Sequence, residues 1–104
     1  MPVTVVAAIR PLPKHREEVL AAVITSIPAI HQEEGCLLYT LHDGGKEFLI
    51  IEQWANESLL EQHGASEAVG QVQDALEGKL EEPVSITVAT PVPCGSAEKG
   101  QLVG

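Results

Sequence analysis

The spacing of apolar residues changes abruptly at two prolines near the N-terminus. Val3 to Arg10 (VTVVAAIR) is short, β-branched and bounded by Pro2 and Pro11, which predicts a strand. After Pro11-Leu12-Pro13 the period lengthens. Leu20, Val23, Ile24, Ile27 and Ile30 recur at three and four residues, so Lys14 to about Glu33 is predicted as an amphipathic helix. Pro28 is expected to kink it, because its ring removes a backbone donor and crowds the preceding turn. Gly35 is expected to close it.

Cys36 to His42 and Glu47 to Ala55 are two further strand patterns flanking Asp43-Gly44-Gly45-Lys46, where glycines supply the positive φ of a tight hairpin. Asn56 and Ser58 are candidate N-caps for a short helix reaching His63, and Ser58 with Glu61 has the capping-box spacing. Gly64 interrupts that helix. Ser66 can cap a second segment in which Val69, Val72, Leu76 and Leu80 share one face. Pro83 ends it, and Val84 to Ala89 (VSITVA) reads as the last strand.

The order βαββαβ predicts an α+β ferredoxin-like sandwich, an antiparallel four-stranded sheet with its helices on one face. Such a sheet should alternate apolar and polar residues. The first strand instead carries Val3, Val5, Ala7 and Ile9 on one face and Val6 and Ala8 on the other. In the third, Phe48, Ile50 and Trp54 oppose Leu49, Ile51 and Ala55. Two apolar faces with helices for only one imply that a second copy covers the other, giving a homodimer. The domain is expected over residues 1–92. Residues 93–104 form a turn-rich tail expected to rest on its own subunit or on the partner.

Length allows one domain, since a chain of 104 residues buries roughly two-thirds of its unfolded surface. Fifteen acidic against six basic residues give a formal charge of −9, which opposes binding to nucleic acid and to anionic membranes. No apolar run approaches the ~20 residues of a membrane span, and no charged-then-apolar leader pattern occurs at the N-terminus, so the expected location is the cytoplasm. Cys36 and Cys94 lack CxxC spacing and are expected to be free thiols.

Motifs for bound cofactors are missing: there is no GxGxxG after a strand, no Walker loop and no HExxH helix, so neither metal nor nucleotide is indicated. What remains is a set of polar residues among apolar ones: Tyr39, Glu52, Trp54, Asn56, His63 and Ser66. Glu52 lies in the most apolar strand, where an unpaired carboxylate would cost several kcal/mol unless it finds a donor or takes up a proton. Its plainer reading is an edge-strand carboxylate paired with Lys or Arg. His63 can accept and return a proton near neutrality. The plainer alternative is a helix C-terminal residue favoured by the dipole. Tyr39 and Trp54 read more readily as core or interface aromatics than as ligand stackers.

Taken together, Glu34-Gly35-Cys36-Leu37-Leu38-Tyr39, then Phe48 through Asn56 (FLIIEQWAN), then His63 and Ser66, resemble the antibiotic biosynthesis monooxygenase (ABM) family over about Val3 to Val92. The resemblance implies a ferredoxin-like fold that pairs through its sheets into a dimeric α/β barrel. It also implies a monooxygenase that oxidises a quinol or polycyclic hydroxyarene with O₂ and needs no cofactor. His63 and Glu52 would be catalytic, with Tyr39, Trp54 and Asn56 contacting a small aromatic substrate. Haem-degrading relatives use an Asn, a Trp and a His where this chain has Ala8, His63 and Gln73, so haem breakdown is not expected. The alternatives are an isomerase of a small phosphorylated hydroxyketone and a non-catalytic small-molecule-binding barrel.

Overall fold

The computed structural model describes residues 1–102. Strand β1 (Val3–Ile9) leads through a 3-10 turn at Pro13–His15 into helix α1 (Arg16–His31). Strands β2 (Cys36–Asp43) and β3 (Phe48–Trp54) form the expected hairpin, with Gly45 at φ +89° in its turn. Helices α2 (Glu57–Gly64) and α3 (Glu67–Leu76) follow, and β4 (Ser85–Ala89) closes the fold. All neighbouring strands are antiparallel and their order is β2-β3-β1-β4, the ferredoxin-like arrangement.

Register explains which residues are buried. Val3, Val5, Ala7 and Ile9 face the helices at 2–5% exposure, opposite Trp54, Glu52, Ile50 and Phe48 of β3. Against them α1 lays Val19, Val23 and Ile30, all at 0–1% exposure. These lie on the stripe 19-23-26-30, whose fourth member is Ser26. The expected stripe of Leu20, Val23, Ile24, Ile27 and Ile30 therefore needs correction, since Ile24 is 52% exposed. A serine at one stripe position disguised the true face. Its hydroxyl donates to the Val23 carbonyl, so the polar group is satisfied within the helix. The helix also continues through Pro28.

Two connections depart from expectation. Asn56 alone caps α2, its Oδ1 accepting from Leu59 N at 2.9 Å, so Ser58 and Glu61 form no capping box. Helix α3 stops at Leu76, and Leu80 leaves the helical face to bridge Pro11. Ser66 does cap α3, accepting from Val69 N. Cys36 is half-buried and Cys94 exposed, both unpaired. No described helix is long and apolar enough to cross a membrane. In the tail, residues 93–99 are exposed and only Gly100 and Gln101 are half-buried; positions 103 and 104 lie outside the described residues.

On the opposite sheet face Val6 is 38% exposed, and Ala8, Leu49 and Ile51 are half-buried. Gln53 faces the same way, and its Oε1 has no hydrogen-bond partner among the described residues although the side chain is buried. Edge strand β4 is exposed throughout, including Ile86 at 64% and Val88 at 54%.

Candidate active site

Between sheet and helices lies an apolar cavity of about 140 Å³. Isoleucines and valines from β1, β3, α1, α3 and the β4 side make about half of its wall, and Ser26, Tyr39, Glu52, His63 and Gln73 bring polar side chains to it. A larger open groove of about 600 Å³ runs past Asp74, Glu77, Glu81 and Glu82, but it holds no histidine.

The imidazole of His63 is held on several sides. Its Nδ1 lies 2.8 Å from Glu33 Oε1. Glu33 Oε2 accepts from the Ser66 hydroxyl at 3.2 Å, and that hydroxyl in turn accepts from Val69 N at 3.3 Å. A carboxylate only accepts, so against an ionised Glu33 the hydrogen lies on Nδ1, an arrangement that leaves Nε2 of a neutral ring to accept. Nε2 is 3.7 Å from Glu52 Oε1. The indole of Trp54 stacks on the ring with centroids 4.3 Å apart, and Tyr39 meets it edge-on at 5.8 Å.

Glu52 stands opposite Tyr39 on β2 and Val5 on β1, with 5% of its surface exposed. Burial pushes its carboxyl above the usual carboxylate range. The Trp54 indole N–H, donating to Oε1 at 2.9 Å, and the nearby imidazole pull it back, while Glu33 adds to the rise. The Tyr39 phenol is also pushed up, chiefly by burial and then by Glu52 and Glu33, so it stays protonated at neutral pH and remains a donor. Among the described residues no group of three or more His, Cys, Asp or Glu is placed to hold a metal ion.

The structure thus brings together Tyr39, Glu52 and His63 as expected, and it adds Glu33. That residue was read as the end of α1. It actually sits in the turn beyond the helix, where Gly35, at φ +85°, lets the chain reverse against Leu59 of α2. Its partners are 30 and 33 positions away, so no local pattern announces them. Two residues expected to touch substrate are placed elsewhere. Trp54 is fully buried behind His63, its ring covering the imidazole and its N–H spent on Glu52. Asn56 is exposed and occupied in capping α2.

The fold that carries this site has counterparts among known proteins. Residues 2–75 match the family model described as antibiotic biosynthesis monooxygenase. The chain belongs to the ABM family. Among solved structures, Rv0793 from Mycobacterium tuberculosis is similar at 28% identity and TM-score 0.86, over 92% of this chain and all of that one. PA3566 from Pseudomonas aeruginosa is 29% identical with TM-score 0.81, over 88% of this chain and 94% of its own. A third structure, described as an antibiotic biosynthesis monooxygenase, shares the fold at 22% identity and TM-score 0.81, over 88% of this chain and 99% of that chain. None of the curated proteins compared matches this ABM chain. Membership extends through β1 to α3 and therefore includes every residue of the Glu33–His63–Glu52 chain.

Proposed function

We propose that this ABM protein is a monooxygenase that oxidises a quinol or related hydroxyarene with O₂, the electrons coming from the substrate itself and no cofactor taking part. One observation carries the reading: an imidazole held at Nδ1 by Glu33 stands with Nε2 beside a buried carboxyl at the wall of an apolar cavity. Family membership supports the reaction class.

Chemistry and geometry fit in the following way. The substrate hydroxyl gives its proton to His63 Nε2, and the imidazolium is stabilised by Glu33 on the far nitrogen. The arenolate passes one electron to O₂, and the resulting radical pair joins at a ring carbon to form a peroxide anion. The proton returns from His63 to that anion. Loss of water then leaves a carbonyl at the attacked carbon: one oxygen atom enters the product, the other departs in water with the displaced ring hydrogen and the hydroxyl proton. Tyr39 offers an O–H to developing negative oxygen, and the dry walls strengthen each of these interactions. An isomerase of phosphorylated ketones fits less well, because the cavity is lined by no Lys or Arg to receive a phosphate.

The test follows O₂ uptake with quinols and anthrones for wild type and His63→Ala. A loss of roughly 10²–10⁴-fold in the variant is expected for removal of a general base. No wild-type turnover above the spontaneous rate, or an equally active His63→Ala, refutes the oxygenase and leaves a binding protein.

The same reading includes a homodimer joined through the second sheet face. The apolar residues Val6, Ala8, Leu49 and Ile51 and the unpartnered Gln53 carbonyl support it, because monomers seldom expose such a face. Sedimentation equilibrium giving the mass of one chain at micromolar concentration refutes it.

A further inference from the structure

The cavity is defined as much by what is missing from its floor as by its polar wall. Along β1 the inward residues are Val3, Val5, Ala7 and Ile9, and only Ala7 has a one-carbon side chain. It lies between Ile50 of β3 and Ile86 of β4, both of which also line the cavity. With strands about 4.8 Å apart, the floor from Ile50 to Ile86 is roughly 10 Å wide, with its gap over Ala7. The walls above are Val23 and Ile30 of α1 and Leu76 of α3, each at 5% exposure or less and packed into the core.

A volume of about 140 Å³ is close to the ~150 Å³ of an apolar cavity known to hold benzene. The titratable groups suited to a hydroxyl, Tyr39, Glu52 and His63, gather on the β2–β3 side, Ser26 and Gln73 line the helical wall, and the β4 side ends at the exposed Ile86. A single planar ring fits with its hydroxyl on the first side and its far edge against Ile86. A fused second or third ring would have to displace Ile86 or the core side chains above it.

From this we propose that the site is built for a single aromatic ring, a monocyclic phenol or quinol, and that Ala7 sets the size limit. The inference rests on the placement of the substrate hydroxyl at Glu52 and His63 given above.

Binding measured without oxygen separates this from turnover. The probes are phenol, hydroquinone, 1,4-naphthohydroquinone and anthrone, read by ligand-detected NMR on wild type, Ala7→Val and Ala7→Leu. Wild type should bind the two monocyclic probes and neither larger one. Filling the floor should weaken the monocyclic probes at least about tenfold, as overpacking does. Should Ala7→Leu fail to fold, Ala7→Val carries the same comparison, and the ring-size series on wild type stands by itself. Naphthohydroquinone or anthrone binding within about threefold of phenol overturns the proposal. So do floor variants that bind like wild type, or a wild type to which no monocyclic probe binds at millimolar concentration. Phenol binding without O₂ uptake would remove the oxygenase yet uphold the size limit; uptake with anthrone alone would do the reverse.

Discussion

Replacing Trp54 by Phe tests the electrostatic description of Glu52 directly. The phenyl ring can keep part of the stacking on His63, but the N–H that donates to Glu52 Oε1 at 2.9 Å is gone. Donor and acceptor are both buried, at 0% and 5% exposure, so water cannot replace it cheaply. A hydrogen bond to a charged group contributes about 1.5–3 kcal/mol, against ~1 kcal/mol for a neutral one. The smaller ring also forfeits burial on the order of 1–2 kcal/mol.

The pH dependence follows from the direction of the Glu52 shift. Because burial raises its folded-state pKa above the unfolded value, ionising this group costs stability. That cost is absent below the ordinary carboxylate range and complete above the folded-state pKa. The indole N–H holds that pKa down, so in Trp54→Phe it rises further. The variant's deficit should then be about 2–3 kcal/mol in acid and should widen as pH climbs through the wild-type titration of Glu52. It should level off at about 3–5 kcal/mol above the variant's own titration. Urea unfolding followed by circular dichroism from pH 4 to pH 9, at fixed protein concentration, measures it. In a Glu52→Gln background the pH-dependent part should vanish. A deficit that is constant with pH in the Glu52 protein would refute the reasoning.

Three further outcomes follow from the same geometry. Gly35→Ala should destabilise the fold by about 2–4 kcal/mol in chemical denaturation, since a side chain at φ +85° is strained and its Cβ would meet Leu59 Cδ1 at 2.5 Å. Asn56→Ala should cost about 1 kcal/mol, the usual loss of an N-cap, whereas Ser66→Ala should cost more because its hydroxyl also donates to Glu33; equal losses would show the Ser66–Glu33 bond to be without weight. Tyr39 is the only tyrosine, so absorbance at the phenolate band reports it alone. With its folded-state pKa raised, stability should decline as pH rises above the ordinary phenol value, and the phenolate band should appear on unfolding rather than in the native protein near pH 11.

Much of this architecture was legible in the chain because local rules act locally. The hairpin glycines, the Ser66 cap and the β-branched strand runs each act on their neighbours, and all lie where the pattern places them. The face of α1 was misread because periodicity counts only apolar residues, and Ser26 occupies a buried position with its hydroxyl turned back to its own helix. Asn56 fitted both a cap and a substrate contact, and a helix start needs its orphan N–H groups satisfied first. Glu33 was invisible for a different reason. Its role arises only when the turn after α1, the end of α2 and the start of α3 converge, and nothing near residue 33 encodes that meeting. Glu52 was detectable by its cost: a carboxylate in an apolar strand demands a compensating donor, which Trp54 two residues on provides.

The turn that carries Glu33 is clamped three times. Its Gly35 packs on Leu59, the Gly35 carbonyl accepts from Ala55 N at 2.9 Å, and Glu33 itself grips His63. Both ends of α2 are therefore anchored to one short loop, and the imidazole cannot tilt unless loop and helix shift as a block. The β4 flank has no such fastening, its side chains lying in the open. Stiffness is thus distributed unevenly around the chamber, so molecules exchanging with solvent should pass along the yielding rim of the sheet while the proton-handling wall keeps its alignment.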